Sequence, residues 1–122
     1  MSSFQELMMR LSSEIPEISV EEARCALEKK SDVVLLDVRE REEWAASRIP
    51  GATHLSRGYL ELKIEQMVPD KTTTIICQCG GGTRSLLAAN TLKDLGYKNV
   101  SSMAGGFRQW REEGCPTEEG CE

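Results

Sequence analysis

A chain of 122 residues, 39% hydrophobic and 29% charged, has apolar material for one folded core and too little for two. Its formal net charge of −5 argues against a nucleic-acid partner, which would want clustered Lys and Arg. No apolar run approaches the length of a membrane span, so no membrane partner is expected.

The opening residues Met1 to Glu6 lack a basic stretch followed by an apolar one. No secretory leader is therefore expected, and the expected compartment is the cytoplasm. Cysteines stand at 25, 77, 79, 115 and 121. An odd number in such a chain points to a working thiol rather than to a disulfide framework. With one histidine and no Cys-x-x-Cys pair, neither a metal site nor any other cofactor is expected.

In chain order, Phe4, Leu7, Met8 and Leu11 recur at helical spacing over 4–13, an amphipathic helix whose stripe is expected to pack on the domain. Pro16 ends it, and 15–18 has room only for a short strand. Ser19 with Glu22 forms a capping box for a helix to about Lys29, with Ala23, Ala26 and Leu27 inward. Cys25 within it reads as a buried, inert thiol. Val33 to Leu36 is a continuous apolar run, the mark of a strand covered on both faces. Residues 41–46 read as a short helix, 49–52 as a turn, 53–55 as a brief strand and 58–67 as a helix. Thr72 to Gln78 is the next strand. Arg84 to Leu95 is a strong helix, with Leu87, Ala88, Leu92 and Leu95 inward and Gly96 stopping it. A strand at 99–101, a turn at 104–106 and a helix at 107–113 burying Phe107 and Trp110 close the pattern. From Pro116 the acidic tail is expected to fray. Trp44 reads as a core residue, and lone His54 as a strand or surface residue.

Strands alternating with helices imply an α/β domain with a mainly parallel sheet, whose ligand site lies at the carboxyl ends of the strands. Asp37-Val38-Arg39 and Cys79 both fall at such ends. The stretch Ile75 to Ser85 is the richest in chemistry. An apolar strand ends on Cys79, then Gly80, Gly81 and Gly82 lead into a helix through Thr83, Arg84 and Ser85. Backbone amides and the helix dipole favour an anion there, and a thiolate, the reactive form of cysteine, is one. The glycines leave space for the curl, the hydroxyls of Thr83 and Ser85 can donate, and Arg84 offers a planar cation to an anionic substrate. Cys77, two residues earlier, shares a face with Cys79. It reads as a buried strand thiol, with a resolving thiol as the alternative. Cys115 and Cys121 lie in what reads as the mobile end.

The residues Leu35-Leu36-Asp37-Val38-Arg39-Glu40, Arg48-Ile49-Pro50-Gly51-Ala52, Cys79 to Ser85, Leu95 to Val100 and Ala104-Gly105-Gly106-Phe107-Arg108-Gln109-Trp110 together resemble a rhodanese domain over about Pro16 to Thr117. The family often has His where Arg48 stands and Glu where Ala104 stands. The resemblance implies a three-layer fold, with a central, mainly parallel five-stranded sheet and helices on both faces. The expected organisation is an N-terminal helical extension over 1–15, a rhodanese domain over 16–118 and an acidic tail over 119–122. The resemblance further implies that Cys79 takes sulfane sulfur as a persulfide while Gly80, Gly81, Gly82, Thr83, Arg84 and Ser85 hold the substrate. The partners implied are a small anionic sulfur donor such as thiosulfate, and a thiol, a protein or cyanide as acceptor.

Two other readings compete. Related folds use a cysteine loop in phosphatases and arsenate reductases, but such loops place five residues between Cys and Arg. Here only Gly80 to Thr83 intervene, which favours sulfur. A non-catalytic partner-binding module is the third reading; such modules commonly lose the cysteine that this chain keeps.

Overall fold

A computed structural model describes residues 1–30 and 32–119. Helix α1 (Ser3–Glu14) leads into β1 (Glu17–Ile18), α2 (Val20–Lys29), β2 (Val34–Asp37) and α3 (Arg41–Ala46). Then come β3 (Ser47–Arg48), β4 (Thr53–His54), α4 (Leu60–Met67) and β5 (Thr74–Gln78). The chain closes with α5 (Thr83–Asp94), β6 (Asn99–Met103), α6 (Gly106–Glu112) and β7 (Glu118–Glu119). A 3-10 turn over Arg57–Tyr59 precedes α4.

Five strands form one sheet in the order β1-β6-β5-β2-β4, every pairing parallel. Parallel strands bury both faces, and the alternation along β2 and β5 sorts side chains between two cores. Leu36, Ile75 and Cys77 join Leu11 and Ile15 of the α1 end, Leu60 and Ile64 of α4, and Leu86, Ala89 and Leu92 of α5. Leu35 and Ile76 face the other way, toward Val20 and Ala23 of α2 and Phe107 and Trp110 of α6. The five-stranded parallel architecture expected from the sequence is the one observed.

Both the α1 and α2 starts are closed by capping boxes, Ser2 with Gln5 and Ser19 with Glu22. The α1 stripe is only partly covered. Leu11 is fully buried and Leu7 and Met8 pack against the core, while Phe4 is half exposed.

Four expectations are corrected. Cys25 is exposed, because the buried face of α2 is set by Val20 and Ala23. In α5 the inward set includes Leu86 and Ala89, with Leu87 only partly buried. Trp44 is half-buried, its ring stacked on His54 at 5.0 Å and its other contact the Arg48 guanidinium at 4.9 Å. The end of the described chain is tied down rather than frayed. Trp110 Nε1 donates to Pro116 O at 2.7 Å, Arg48 pairs with Glu118 at 3.0 Å, and β3 and β7 form an antiparallel pair. Cys115 is consequently buried beside Trp110 rather than mobile. Cys121 lies outside the described residues. Among those described, no helix is long and apolar enough to cross a membrane.

Leu11 has no exposed surface and belongs to the core around α5. Leu11→Ala should therefore lower unfolding stability by about 2–5 kcal/mol, read from urea titrations. A change below about 0.5 kcal/mol, the scale of ordinary surface substitutions, would show that α1 contributes no core.

Candidate active site

Strand β5 delivers Cys79 to the carboxyl end of the sheet, one residue past Gln78. There the backbone turns through Gly80 and Gly81 to Gly82, whose φ of +107° suits glycine because it has no Cβ to clash. Gly82 is the N-cap of α5 and has no side chain to cap it. The Cys79 sulfur takes that place. Its Sγ accepts from Gly82 N at 3.1 Å and from Ser85 N at 3.3 Å, the second being the amide that an N-cap oxygen would otherwise satisfy. The Ser85 hydroxyl lies 3.5 Å from Sγ and 2.8 Å from Ser102 Oγ on β6.

The electrostatics follow from these contacts. Burial pushes the Cys79 thiol up, but the Ser85 hydroxyl and the amides of Ser85, Gly82 and Gly81 outweigh it, so the thiol lies below its ordinary value. Cys77 behaves in the opposite way. It is fully buried, and burial, joined by the neighbouring Cys79, pushes its thiol up to about 12. One cysteine of the pair is prepared to ionise and the other is kept as a thiol.

The turn before α6 supports the loop from outside. Phe107 N donates to Cys79 O at 2.6 Å and Arg108 N to Gly80 O at 3.1 Å. This approach needs Gly106. A Cβ on it would collide with Cys79 O and lie 2.8 Å from Gly80 C, and its φ is +60°.

The structure gathers Gly81, Gly82 and Ser85 around the sulfur and turns the Gly80 carbonyl to Arg108 N, but spreads the other two expected residues. Thr83 is exposed at the first turn of α5. Arg84 turns to α3 and pairs with Glu43, Nη1 to Oε1 at 2.7 Å and Nη2 to Oε2 at 3.1 Å. The Arg84 fork holds the Glu43 carboxyl below its usual range.

Sequence reasoning put Asp37 and Arg39 at the site end of a strand without giving them a role, and gave Ser102 none. Asp37 and Arg39, both buried, form an ion pair with Nη2 to Oδ2 at 2.9 Å and Nε within 3.1 Å of both carboxylate oxygens. Arg39 also stacks on Phe107 at 4.5 Å, so the β2 end and the α6 start share one contact. Their place at a strand end is a sequence signal; their mutual geometry is not. Ser102 carried no signal, since only the sheet register brings it opposite Cys77. His54 is a structural residue on β4, Nε2 lying 2.9 Å from Arg39 O.

A cavity of about 300 Å³ opens beside Gly80, bordered by Arg39, Glu43, Ser47, Phe107, Arg108 and Arg111. A second, of about 230 Å³, involves Ile15, Lys93 and Tyr97 at the far end of α5, away from the cysteine. The first adjoins the loop and is the entry consistent with chemistry at Sγ.

The family model for the rhodanese-like domain matches residues 19–113. The chain is 36% identical to the Bacillus subtilis putative sulfurtransferase YtwF over 84% of its own length and 97% of that protein's. It is 34% identical to the thiosulfate sulfurtransferase GlpE of Tolumonas auensis, covering 81% and 91% of the two chains. Against the putative sulfur carrier protein YrkF of Bacillus subtilis the identity is 36% over 81% of this chain, which spans only 52% of YrkF. Among solved structures, the Rhodopseudomonas palustris protein RPA3614, described as a possible tyrosine phosphatase, superposes with a TM-score of 0.86 at 32% identity, covering 96% and 95% of the chains. With most of its length matched by the family model and by sulfurtransferase relatives, the chain belongs to the rhodanese-like domain family.

Proposed function

We propose that this protein is a sulfurtransferase in which Cys79 takes sulfane sulfur from thiosulfate or a persulfide donor, holds it as a persulfide and passes it to a thiol or cyanide. The observation that carries the reading is the set of donors on Sγ, the amides of Gly82 and Ser85 at 3.1 and 3.3 Å. They favour thiolate over thiol, and the thiolate is the attacking species.

Loading runs as a displacement. The Cys79 thiolate attacks the outer sulfur of thiosulfate, the S–S bond of the donor breaks with its electron pair, and sulfite leaves. The product is a Cys79 persulfide anion, so charge and atoms balance. The same amides that held the thiolate then face an anion one sulfur longer, and the small residues Gly80, Gly81 and Gly82 leave room for it. In unloading, an acceptor thiolate or cyanide attacks that outer sulfur. The Cys79 thiolate leaves as a good leaving group because its pKa is depressed. A single environment thus serves both half-reactions.

The relatives bear on the reading in their own names: YtwF is a putative sulfurtransferase and GlpE a thiosulfate sulfurtransferase. A phosphatase reading would follow RPA3614. Against it stand the four residues between Cys79 and Arg84 and the engagement of Arg84 with Glu43.

Cys79→Ser should abolish transfer of sulfur from thiosulfate to cyanide and the added sulfur seen on intact protein by mass spectrometry, whereas Cys77→Ser should keep both. Full activity in the Cys79 variant, or release of phosphate from an aryl phosphate without persulfide formation, would refute the reading. The Ser85 hydroxyl lowers the Cys79 thiol and its removal raises it, so Ser85→Ala should move the acidic limb of the pH–rate profile to higher pH. The effect is on the fraction of thiolate, so the rates should converge at alkaline pH. A limb that stays in place would exclude the hydroxyl from tuning the sulfur.

A further inference from the structure

An incoming anion would meet an Arg84 whose terminal nitrogens are already engaged. Glu43 accepts from both, at 2.7 and 3.1 Å. The two side chains keep 35% and 39% of their surface, and Glu43 borders the cavity, so the pair lies in water-screened surroundings where it adds little stability. Its importance is positional. A Cβ on Gly80 would stand 3.1 Å from Arg84 Nη2 and 3.8 Å from Glu43 Oε2, so the pair crosses directly over the residue that follows the nucleophile. Glu43 is itself anchored, since its Oε1 accepts from Glu40 N at 2.9 Å.

We propose that Glu43 is an internal competitor for the anion seat at Arg84, and that it sets the site against sulfonate-bearing donors and in favour of persulfides that leave as uncharged thiols. This deepens the sulfurtransferase reading and rests on it. A guanidinium fork matches two oxygens of an oxyanion, and here a tethered carboxylate fills it at an effective concentration of about millimolar or above. Thiosulfate must displace Glu43 or bind without Arg84. Arg108 and Arg111 border the same cavity and draw anions toward it, but the seat beside Gly80 is taken. A persulfide RS–SH has no such need. Cys79 attacks its outer sulfur, a new S–S bond forms to Cys79 as the donor's S–S bond breaks, and RS⁻ leaves; the proton carried by the transferred sulfur passes through water to RS⁻, giving a Cys79 persulfide anion and an uncharged thiol.

Glu43→Gln removes the charge while keeping a side chain that completes a capping box. Persulfide formation on Cys79 is followed with thiosulfate and, separately, with 2-hydroxyethyl persulfide, which carries no sulfonate. The expected result is a kcat/KM for thiosulfate raised about fivefold, carried by a lower KM rather than a higher kcat, so that the thiosulfate-to-persulfide preference rises by a similar factor. An unchanged preference, or equal loss with both donors as a purely structural role would give, overturns the inference while leaving the sulfurtransferase reading intact. Absence of Cys79 persulfide from either donor in the unsubstituted protein overturns both.

Discussion

Two hydrogen bonds from the start of α6 to the backbone of the cysteine loop carry much of this site. Phe107 N and Arg108 N bind the carbonyls of Cys79 and Gly80. A trans peptide points its carbonyl and its amide in opposite directions. Holding Gly80 O toward α6 therefore aims Gly81 N–H away from α6, and that amide is among the groups that lower the Cys79 thiol. The loop is shaped from behind, by its carbonyls, so that its amides face the sulfur.

This constraint explains residues with no chemistry of their own. Gly106 lets the two backbones approach, since any side chain there would occupy the loop. Phe107 sits between the Arg39 and Arg111 guanidiniums, at 4.5 and 5.4 Å from its ring, so the α6 start is linked to the end of β2. Arg39 in turn is fixed by Asp37 and by Ser47 O at 2.7 Å. A buried ion pair of this kind adds little net stability but is costly to break, because it would leave a buried charge alone. The pair therefore acts as a positional restraint on the strand ends around the cavity.

The contrast between Cys77 and Cys79 shows how little side-chain identity decides. Both are buried on the same side of the sheet. At Cys77 burial and the charge of its partner outweigh the pull of Arg57, so ionisation is opposed. Two residues on, the strand has ended, and the unpaired amides of a helix start supply what bulk water does elsewhere. The transition from paired to unpaired backbone separates an inert thiol from a prepared one.

The order of elements, the parallel sheet and the loop at Cys79 were legible in the sequence because they depend on local signals: β-branched runs, capping boxes, and glycines where a strand meets a helix. Burial of single residues was less legible. Cys25 was placed by the usual burial of a free thiol and Leu87 by helical period, and the face of a helix that meets the sheet depends on rotation by a fraction of a turn, which neighbours set. Cys115 and the β7 strand were hidden because their partners, Trp110 across a turn and Arg48 some seventy residues away, are joined only by folding. The same holds for Arg84. Its charge and position marked it for an anion, but only the packing of α3 beside the loop gives that anion as Glu43. What the chain determined by itself was the cysteine loop and its cradle of amides, which are contiguous; what tertiary structure decided was every contact made across the sheet ends, because those distances are set by register and packing and by nothing local.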